Sequence, residues 1–298
     1  MTASEAPPAV PGSVDVAVVG AGIVGLATAR QLLVERPDLR LVLIDKEPAI
    51  AVHQTGHNSG VLHSGLYYVP GSLKARTAIA GRAAMIHFCG EHGVEIRVCG
   101  KVVVATHEEE LPRLHALHAR ARANGVAVEL IGPGRLAELE PHAAGLAALW
   151  VPDAAIVDYR AVCRALWHEL AAAGAQLALS TEVCGIIERE REIVVETTAG
   201  EWRSRLLINC GGLHSDRVAA LHAPVTDGTH IVPFRGEYFA LREPRRHLVR
   251  GLIYPVPDPS LPFLGVHLTT TLDGRVLAGP NAVLALSREG YRWRDVSP

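Results

Sequence analysis

The stretch from Asp15 to Asp45 constrains the fold of this 298-residue chain more than any other segment. An apolar run over residues 14–19 precedes the sequence GAGIVG at residues 20–25, and apolar residues at helical spacing continue to Val34. A second apolar run over residues 39–44 ends at Asp45. Strand, glycine-rich turn, helix, strand and acidic residue therefore follow one another within about thirty residues, which is the context that a dinucleotide-binding fingerprint requires.

Each glycine of this turn has a physical role in such a fingerprint. Gly20 permits the tight turn after the strand, Gly22 lets the backbone approach a pyrophosphate, and Gly25 lets the helix pack closely on the sheet. The amides and the positive dipole end at the helix start would hold the phosphates. Asp45 would accept hydrogen bonds from a ribose hydroxyl and would repel a 2′-phosphate, so we expect a dinucleotide other than NADP. The alternative is a glycine-rich turn with a purely structural role.

Composition indicates an ordinary globular protein. Hydrophobic residues make up 49% and charged residues 20% of a chain long enough for one large domain or two closely associated ones. A net charge of −2 argues against a nucleic-acid-binding protein, which would normally carry a basic face. The five cysteines are scattered without a CxxC pair, which is typical of a reduced intracellular protein and predicts neither a disulfide framework nor a zinc site.

The sequence has no convincing membrane span, since its most apolar stretch is the fingerprint itself. Residues 1–12, rich in Ala and Pro, lack the basic start and apolar centre of a signal peptide, so we expect a disordered leader. These features predict a cytoplasmic protein and leave open peripheral contact with the inner face of the membrane.

Local signals predict further elements. Ser72 is a good N-cap for a helix over residues 73–92, and Gly93 is a good helix end. Residues 193–197 and 202–205 flank Ala199-Gly200 and are typical of a hairpin. Other helices are predicted over residues 108–124, 135–139 and, capped by Asp158, 159–173; other strands over 101–106, 126–131, 146–151 and 176–179. From Val225 onwards, strands over 231–241, 252–256, 264–270 and 275–278 predict an antiparallel sheet.

Two glycine-containing segments are candidate ligand-binding turns. The loop over residues 53–68 suits a backbone that approaches a ligand, although an ordinary connecting loop would look the same. Residues 206–215 predict a second buried strand that ends at a Gly-Gly pair before a short apolar helix. Because ligands bind at the carboxyl ends of parallel strands, we expect this turn to approach the same cofactor. The alternative is a tight helix start.

Five motifs resemble a known family: GAGIVG from residue 20, QTGHNSGVLHSGLYYVPGSLKA from residue 54, INCGGLHSDRVA from residue 208, PFRGEYF from residue 233 and GPNAV from residue 279. Together they resemble L-2-hydroxyglutarate oxidase/dehydrogenase, an FAD enzyme family of the D-amino-acid oxidase superfamily, over residues 14–291. The first and third motifs are shared across the superfamily and indicate only FAD. The second and fourth are more particular and carry the substrate assignment.

The resemblance implies an α/β fold in two parts. A glutathione-reductase-like Rossmann domain would bind FAD over residues 13–95 and 150–222, and an α+β substrate domain with an antiparallel sheet would cover residues 96–149 and 223–298. Members of the family continue further and complete the substrate sheet. We therefore expect this chain, which stops at Pro298, to be a fragment or a C-terminally shortened protein.

The resemblance also implies site residues. Residues 57–60 would lie beside the isoalloxazine ring, and His57 and His63 are candidates for the general base and a flavin neighbour because a histidine pKa near neutrality suits proton transfer. Zinc is not expected there, since no carboxylate separates the two histidines. Arg235 would clamp a substrate carboxylate, or would be a solvated edge arginine. The expected FAD contacts are Gly20, Gly22, Ile23, Gly25, Asp45, Lys46, Asn58, Ser59, Gly60, Val183, Cys210, Gly211 and Gly212, and weaker substrate candidates are Tyr68, Lys74, Tyr238 and His267.

The implied reaction is oxidation of the small dicarboxylate L-2-hydroxyglutarate to 2-oxoglutarate by hydride transfer to flavin N5, with oxygen or a membrane quinone as electron acceptor. One alternative is the same fold acting on an amino acid, a secondary amine or glycerol 3-phosphate. Another is a catalytically silent, shortened flavoprotein or interaction module. A third, an NAD dehydrogenase, is disfavoured by the second glycine turn and the His57 loop.

Overall fold

The computed structural model describes residues 11–223, 228–260 and 264–296. Most of the expected leader over residues 1–12 lies outside the described residues, as does Val225, where the expected antiparallel sheet begins. The helices are α1 (Ile23–Glu35), α2 (Leu73–Glu91), α3 (Leu111–Ala123), α4 (Pro133–Leu139), α5 (Tyr159–Ala172) and α6 (Ser215–Ala220), with short 3-10 helices at Gln54–Gly56, Glu108–Glu110, Gly212–His214 and Glu243–Leu248. The strands are β1 (Val16–Val19), β2 (Leu41–Ile44), β3 (Val61–Leu62), β4 (Ile96–Val98), β5 (Lys101–Ala105), β6 (Glu129–Ile131), β7 (Ala147–Val151), β8 (Ala155–Val157), β9 (Gln176–Ala178), β10 (Val183–Glu188), β11 (Ile193–Thr197), β12 (Gly200–Ser204), β13 (Leu206–Asn209), β14 (Phe234–Arg235), β15 (Phe239–Ala240), β16 (Leu252–Pro255), β17 (His267–Thr270), β18 (Val276–Gly279) and β19 (Val283–Leu284).

The chain forms two compact units, and each is built from separate segments. The first unit contains Met1–Asn58, Tyr159–Pro233 and Ala285–Pro298, and the second contains Ser59–Asp158 and Phe234–Leu284. These boundaries differ from the expected ones, which assign residues 59–95 and 150–158 to the FAD domain and residues 223–233 and 285–298 to the substrate domain. The reason is strand pairing: β3 and β4 both pair with β8, which keeps all three in the second unit.

A parallel sheet with strand order β13-β1-β2-β9 forms the centre of the first unit. The predicted strand, glycine turn, helix and strand are confirmed as β1, α1 and β2, with Val16 opposite Leu41. Ala17, Val42 and Ile44 pack with Val195 and Trp202 of the hairpin β11–β12, which the sequence also predicts correctly. Both central strands are buried at every position, as expected for a parallel sheet covered on both faces.

β13, the strand predicted before the Gly-Gly pair at residues 211–212, is more exposed than the sequence indicates. It pairs in parallel with β1, as expected, but it lies at the sheet edge, and Leu206 is 46% exposed. The prediction of a buried strand is therefore wrong, because an apolar run has the same appearance at an edge and in the centre of a sheet.

A seven-stranded sheet with the order β15-β18-β17-β16-β5-β7-β6 dominates the second unit. The strands predicted after residue 225 pair antiparallel with one another, which confirms the prediction, in the order β15-β18-β17-β16. Next to them, β16 pairs in parallel with β5, and β5, β7 and β6 are antiparallel. β5 and β16 come from distant parts of the chain and run in the same direction. Leu66, Leu114, Leu149, Ile156 and Tyr254 form the main core of this unit.

Residues 231–241, expected as one strand, form two strands of two residues each, β14 and β15. β14 pairs with β19, and β15 pairs with β18, so the segment changes sheets at residues 236–238. This change of sheet brings residue 236 close to Pro280, and only glycine fits there, since a Cβ would lie 2.8 Å from the Pro280 side chain.

The predicted start and end of α2 are confirmed. Ser72 Oγ accepts a hydrogen bond from the Ala75 amide at 3.2 Å, and Gly93 follows the helix with a φ of +63°. Among the described helices, none has the length and apolar character that a bilayer crossing would need.

Candidate functional site

The turn after β1 is packed so tightly that only glycine fits at two of its positions. Gly20 has a φ of +103°, and a Cβ there would lie 2.4 Å from the carbonyl oxygen of Cys210. A Cβ on Gly25 would lie 1.9 Å from the carbonyl oxygen of Gly20. These contacts hold the first turn of α1 against β1 and hold β1 against the Cys210 turn, so both glycine turns come together in the first unit.

The N-terminus of α1 opens onto a cavity of about 570 Å³ in the first unit. Gly22 occupies the N-cap position with extended backbone, and the Ile23 amide donates to Thr55 Oγ1 at 3.1 Å. The first turn carries no acidic residue, so its amides and helix dipole favour an anion. Of the expected cofactor residues, Gly20, Gly22, Ile23, Asp45, Lys46, Asn58, Val183, Cys210, Gly211 and Gly212 line this cavity.

Three expected cofactor residues do not line the cavity. Gly25 lies behind the turn and acts through the close packing described above. Ser59 and Gly60 belong to the second unit, where the Gly60 carbonyl accepts a hydrogen bond from the Val157 amide at 2.8 Å. Gly60 has a φ of +72°, and a Cβ there would lie 2.9 Å from the Val157 carbonyl oxygen, so its glycine is explained by local packing.

Asp45 lies at the end of β2, at the rim of the cavity. One carboxylate oxygen accepts from the Ala21 amide at 2.6 Å, and the other accepts from the Glu47 amide at 2.9 Å. The backbone of Thr181 donates to the Asp45 carbonyl at 2.9 Å, which brings the loop before β10, and with it Val183, to the same rim. Each carboxylate oxygen retains a lone pair for a further donor such as a ribose hydroxyl.

A network of ionic side chains follows Asp45 along the cavity wall. Lys46 pairs with both Glu47 and Glu289, while His53 Nε2 lies 2.9 Å from Glu47 and His214 Nε2 lies 2.9 Å from Glu289. Burial alone would lower the pKa of Lys46, but its hydrogen bonds to Glu289 and Glu47 outweigh burial and raise it. Glu47, His53 and Glu289 could also face one metal ion, but the Lys46 ammonium already forms ion pairs with both carboxylates.

His57 lies in the first unit, next to this network. Its ring is exposed and stacks on Tyr291 with ring centroids 4.3 Å apart. Nδ1 lies 3.0 Å from the His53 carbonyl oxygen, which can only accept, so Nδ1 carries the proton and a neutral ring has its lone pair on Nε2.

The remaining expected substrate residues lie in the second unit. Lys74 is exposed in the first turn of α2, Tyr68 is half-buried, and Tyr238 lies between β14 and β15. Arg235 pairs with Glu237, with Nη2 and Oε1 2.8 Å apart, and Glu237 in turn accepts from Asn281 at 3.0 Å. The Arg235 guanidinium is therefore already paired with a carboxylate of the protein, that of Glu237.

His63 and His267 belong to a cluster in the second unit that the sequence does not reveal. His267 stacks on Tyr254 with centroids 3.9 Å apart, and Lys101 Nζ lies 4.7 Å from the centre of the Tyr254 ring. His63 keeps an exposed surface, yet desolvation by the surrounding protein, followed by the charges of Lys101 and His267, lowers its pKa to about 4. Burial also lowers the pKa of His267.

Lys101 is not among the predicted site residues, because a lysine at the start of an apolar strand is usually at the surface. Three residues of the cavity wall are not predicted either: Thr55, Arg217 and Glu289. Thr55 could have been predicted, since it lies within the QTGHNSG motif. Glu289 could not, because it lies far along the chain from the other cavity residues and comes to the cavity only when the chain folds.

Comparison with known proteins decides the family. The model of the family described as FAD dependent oxidoreductase matches residues 15–298. The chain belongs to this family of FAD-dependent oxidoreductases. FAD is therefore its cofactor, and the geometry above fits it, with a glycine turn that excludes side chains, a helix N-terminus for the pyrophosphate and a carboxylate at the end of β2.

This oxidoreductase resembles proteins called L-2-hydroxyglutarate dehydrogenase. It is 48% identical to one from Salmonella houtenae, over 95% of this chain and 67% of the relative, and 46% identical to one from Escherichia coli K12 with the same coverage. The mitochondrial protein of Homo sapiens is 44% identical over 96% of this chain and 64% of its own length. The chain thus spans about two thirds of the length of these relatives.

Two solved structures share the fold. An L-alpha-glycerophosphate oxidase from Mycoplasma pneumoniae with FAD bound superposes with a TM-score of 0.85, covering 96% of this chain and 76% of that chain at 24% identity. A glycine oxidase from Geobacillus kaustophilus superposes with a TM-score of 0.76, covering 91% and 72% at 24% identity. At this identity the likeness concerns the fold alone.

Proposed function

We propose that the protein oxidises L-2-hydroxyglutarate to 2-oxoglutarate with FAD as the hydride acceptor. The observation that carries the substrate is the match at 44–48% identity to L-2-hydroxyglutarate dehydrogenases along almost the whole chain. The cavity at the start of α1, with its two glycine turns, supports the flavin part of the proposal.

The residues of the first unit would hold the cofactor as follows. The amides at the start of α1 would bind the pyrophosphate, Asp45 would accept from a ribose hydroxyl, and Val183 would contact the adenine through its backbone. Lys46, Asn58 and the turn at Cys210, Gly211 and Gly212 would complete the wall of the cavity. When bound, FAD supplies a hydride acceptor that no amino-acid side chain can replace.

Oxidation of the alcohol also requires a base for the hydroxyl proton, and we propose His63. Its lowered pKa keeps the ring neutral at pH 7, and its exposed surface makes it accessible to a substrate. Bound negative charge near Lys101 and His63 would raise the pKa of His63 towards the range in which a base works best. His57, with its lone pair on Nε2, is the alternative base and the proposed flavin neighbour.

L-2-hydroxyglutarate carries two carboxylates, and Arg235 is proposed to clamp one of them. Replacing Arg235 by Ala is expected to raise the KM for the dicarboxylate far more than the KM for a monocarboxylate such as L-lactate, because only the former would lose its second anchor. Steady-state kinetics with both substrates would measure this. Equal effects on both KM values would remove Arg235 from the clamp.

We further propose that the electrons leave to a membrane quinone or to oxygen, and that the protein works in the cytoplasm with peripheral contact to the inner face of the membrane. The word dehydrogenase in the names of the relatives favours the quinone. Reoxidation of the reduced flavin by air or by a soluble quinone analogue would decide between the two acceptors.

An anaerobic absorbance titration tests the main proposal. We expect the purified protein to show a flavin spectrum that bleaches with L-2-hydroxyglutarate and not with the D enantiomer, which is the matched control. A flavin that bleaches only with an amino acid, a secondary amine or glycerol 3-phosphate would assign a different substrate. A flavin indifferent to all of them would indicate a silent flavoprotein.

A further inference from the structure

Lys101 is a buried cation that lacks an anionic partner. It begins β5 in the second unit and is 1% exposed, and no carboxylate among the described residues pairs with its ammonium. The acid whose charge acts on it, Asp153, instead pairs with Arg82, with Oδ2 and Nη2 3.0 Å apart. Taking an unpaired ammonium out of water is costly, so such a group is kept where it serves a site.

Two aromatic rings enclose the ammonium. Lys101 Nζ lies 5.2 Å from the ring centre of Tyr67 and 4.7 Å from that of Tyr254. Cation–π contacts of this kind stabilise the charge, but an aromatic ring is not the oxygen acceptor that the three N–H donors of an ammonium prefer.

The hydroxyls of both tyrosines are also buried without a partner. Within the described part of the chain, neither Tyr67 Oη nor Tyr254 Oη makes a hydrogen bond. The Thr269 hydroxyl lies beside that of Tyr254, but the two lack hydrogen-bond geometry. Burial raises the pKa of both phenols, to about 12 for Tyr254, so both are protonated donors at neutral pH.

The charge balance of this cluster is positive. His63 and His267 are neutral at pH 7 because burial lowers the pKa of each. Burial also lowers the pKa of Lys101, to about 8, so its ammonium is still mostly charged at pH 7. One ammonium, two phenolic donors and neutral imidazoles match the charge and the acceptor capacity of one carboxylate.

We propose that Lys101, Tyr67 and Tyr254 form a carboxylate-binding subsite that anchors one carboxylate of the substrate. Assigning it to the hydroxy-dicarboxylate rests on the proposed function, although the subsite itself requires only a carboxylate. Arg235 is proposed for the other carboxylate and is already paired with Glu237, whereas Lys101 has no counter-ion among the residues described. A ligand carboxylate would supply the acceptor that all three donors lack.

Binding of glutarate, a non-reactive dicarboxylate, to the FAD-loaded protein provides the first test. We expect Lys101→Met to weaken the Kd of glutarate by about 10- to 100-fold, as for loss of a charge-assisted contact. The Tm without ligand should stay equal or rise, because the substitution removes a buried charge. Arg135→Met, an exposed change in α4 of the same unit, is the control and should alter neither quantity. An unchanged Kd in Lys101→Met would overturn the proposal.

The wild-type protein provides a second test that needs no variant. Between pH 7 and pH 9.5, His63 and His267 stay neutral and both tyrosines stay protonated, while burial raises the pKa of Cys99, so Lys101 is the group expected to lose charge. Glutarate affinity should therefore fall as the pH rises through the region of the Lys101 pKa. Constant affinity across this range would contradict the subsite even if Lys101→Met failed to fold.

Tyr67→Phe provides a third variant that removes a hydroxyl and keeps the ring. We expect a loss of glutarate affinity of about 3- to 10-fold with little change in Tm. Failure of the subsite and failure of the proposed function are distinguishable. If L-2-hydroxyglutarate bleaches the flavin but the Kd of glutarate does not change with these substitutions or with pH, the proposed function is supported and the subsite is wrong. If the Kd of glutarate changes as expected but L-2-hydroxyglutarate does not bleach the flavin, the subsite is supported and the proposed substrate is wrong.

Discussion

At Gly25 the fold has no room for one additional carbon. A Cβ would lie 1.9 Å from the backbone oxygen of Gly20, and backbone cannot move aside as the end of a flexible side chain can. Gly25→Ala is therefore expected to destabilise the protein by about 1–3 kcal/mol and to weaken FAD binding, because α1 must shift away from the turn. Urea denaturation and titration of the apoprotein with FAD measure the two effects.

Gly81 is a matched control, since it also lies within a helix and a Cβ there would meet nothing within 4 Å. Gly81→Ala should stabilise the protein by about 0.5–1 kcal/mol through helix propensity and leave FAD affinity unchanged. If both substitutions had the same effect, close packing at Gly25 would not be the reason for its glycine.

His63 is the second residue at which the structure makes a sharp prediction. Replacing it by Gln is expected to lower kcat by about 10²- to 10⁴-fold while the flavin stays bound, because Gln cannot take the hydroxyl proton. The same change at His57 should have a much smaller effect. Near-normal turnover in His63→Gln together with a large loss in His57→Gln would transfer the role of base to His57.

The pH profile gives an independent reading of the same residue. A base with a pKa of about 4 in the free protein is active on the alkaline side of that value, so the limb of kcat/KM that reports His63 should lie in acid. Bound dicarboxylate adds negative charge near His63 and raises its pKa, so the acid limb of kcat should lie at higher pH than that of kcat/KM. Coinciding limbs would contradict this assignment.

How well residues can be predicted depends on whether their role is local. Gly20, Gly22 and Asp45 are recognised from their spacing because strand, turn and helix are continuous in the sequence. Lys101 is not, because its burial depends on tyrosines that lie far away in the chain at positions 67 and 254. No periodicity in one segment can report a contact of that kind.

Among the elements, α2 begins as its sequence predicts because its cap is a contact between neighbours in the chain. Ser72→Ala is expected to lower the free energy of unfolding by about 1 kcal/mol, since the Ala75 amide loses its acceptor. Ser72→Asp should retain stability, because a carboxylate caps equally well and favours the helix dipole. Urea denaturation of both variants measures the two free energies of unfolding. An equal loss of stability in both would indicate that the Ser72 side chain matters for a reason other than capping.

Strand partners are less predictable than helix ends. The apolar run of β13 gives no sign that the strand lies at an edge, and the parallel pairing of β5 with β16 joins residues about 150 positions apart in the chain. Sequence patterns specify which face of a strand is apolar, but not which distant strand completes the sheet.

At the scale of the whole molecule, the unit boundaries follow from long-range contacts of the same kind. Residues 285–296 join the first unit because Arg288 pairs with Asp216 and Glu289 pairs with Lys46. The Arg288 guanidinium holds the pKa of Asp216 well below its usual range. Composition changes near residue 225 cannot reveal that the chain later returns to the first unit.

This interleaving predicts where cofactor binding stabilises the molecule. FAD binds the native state only, so amides near it should exchange more slowly in the loaded protein than in apoprotein. We expect the largest protection at residues 20–24, 181–183 and 210–214, three segments that are distant in sequence but line one cavity. Hydrogen–deuterium exchange measured by mass spectrometry on both forms tests this, with α3 in the second unit as the internal reference. Protection at residues 20–24 without protection at 210–214 would mean that the second glycine turn only starts a helix and does not contact the cofactor.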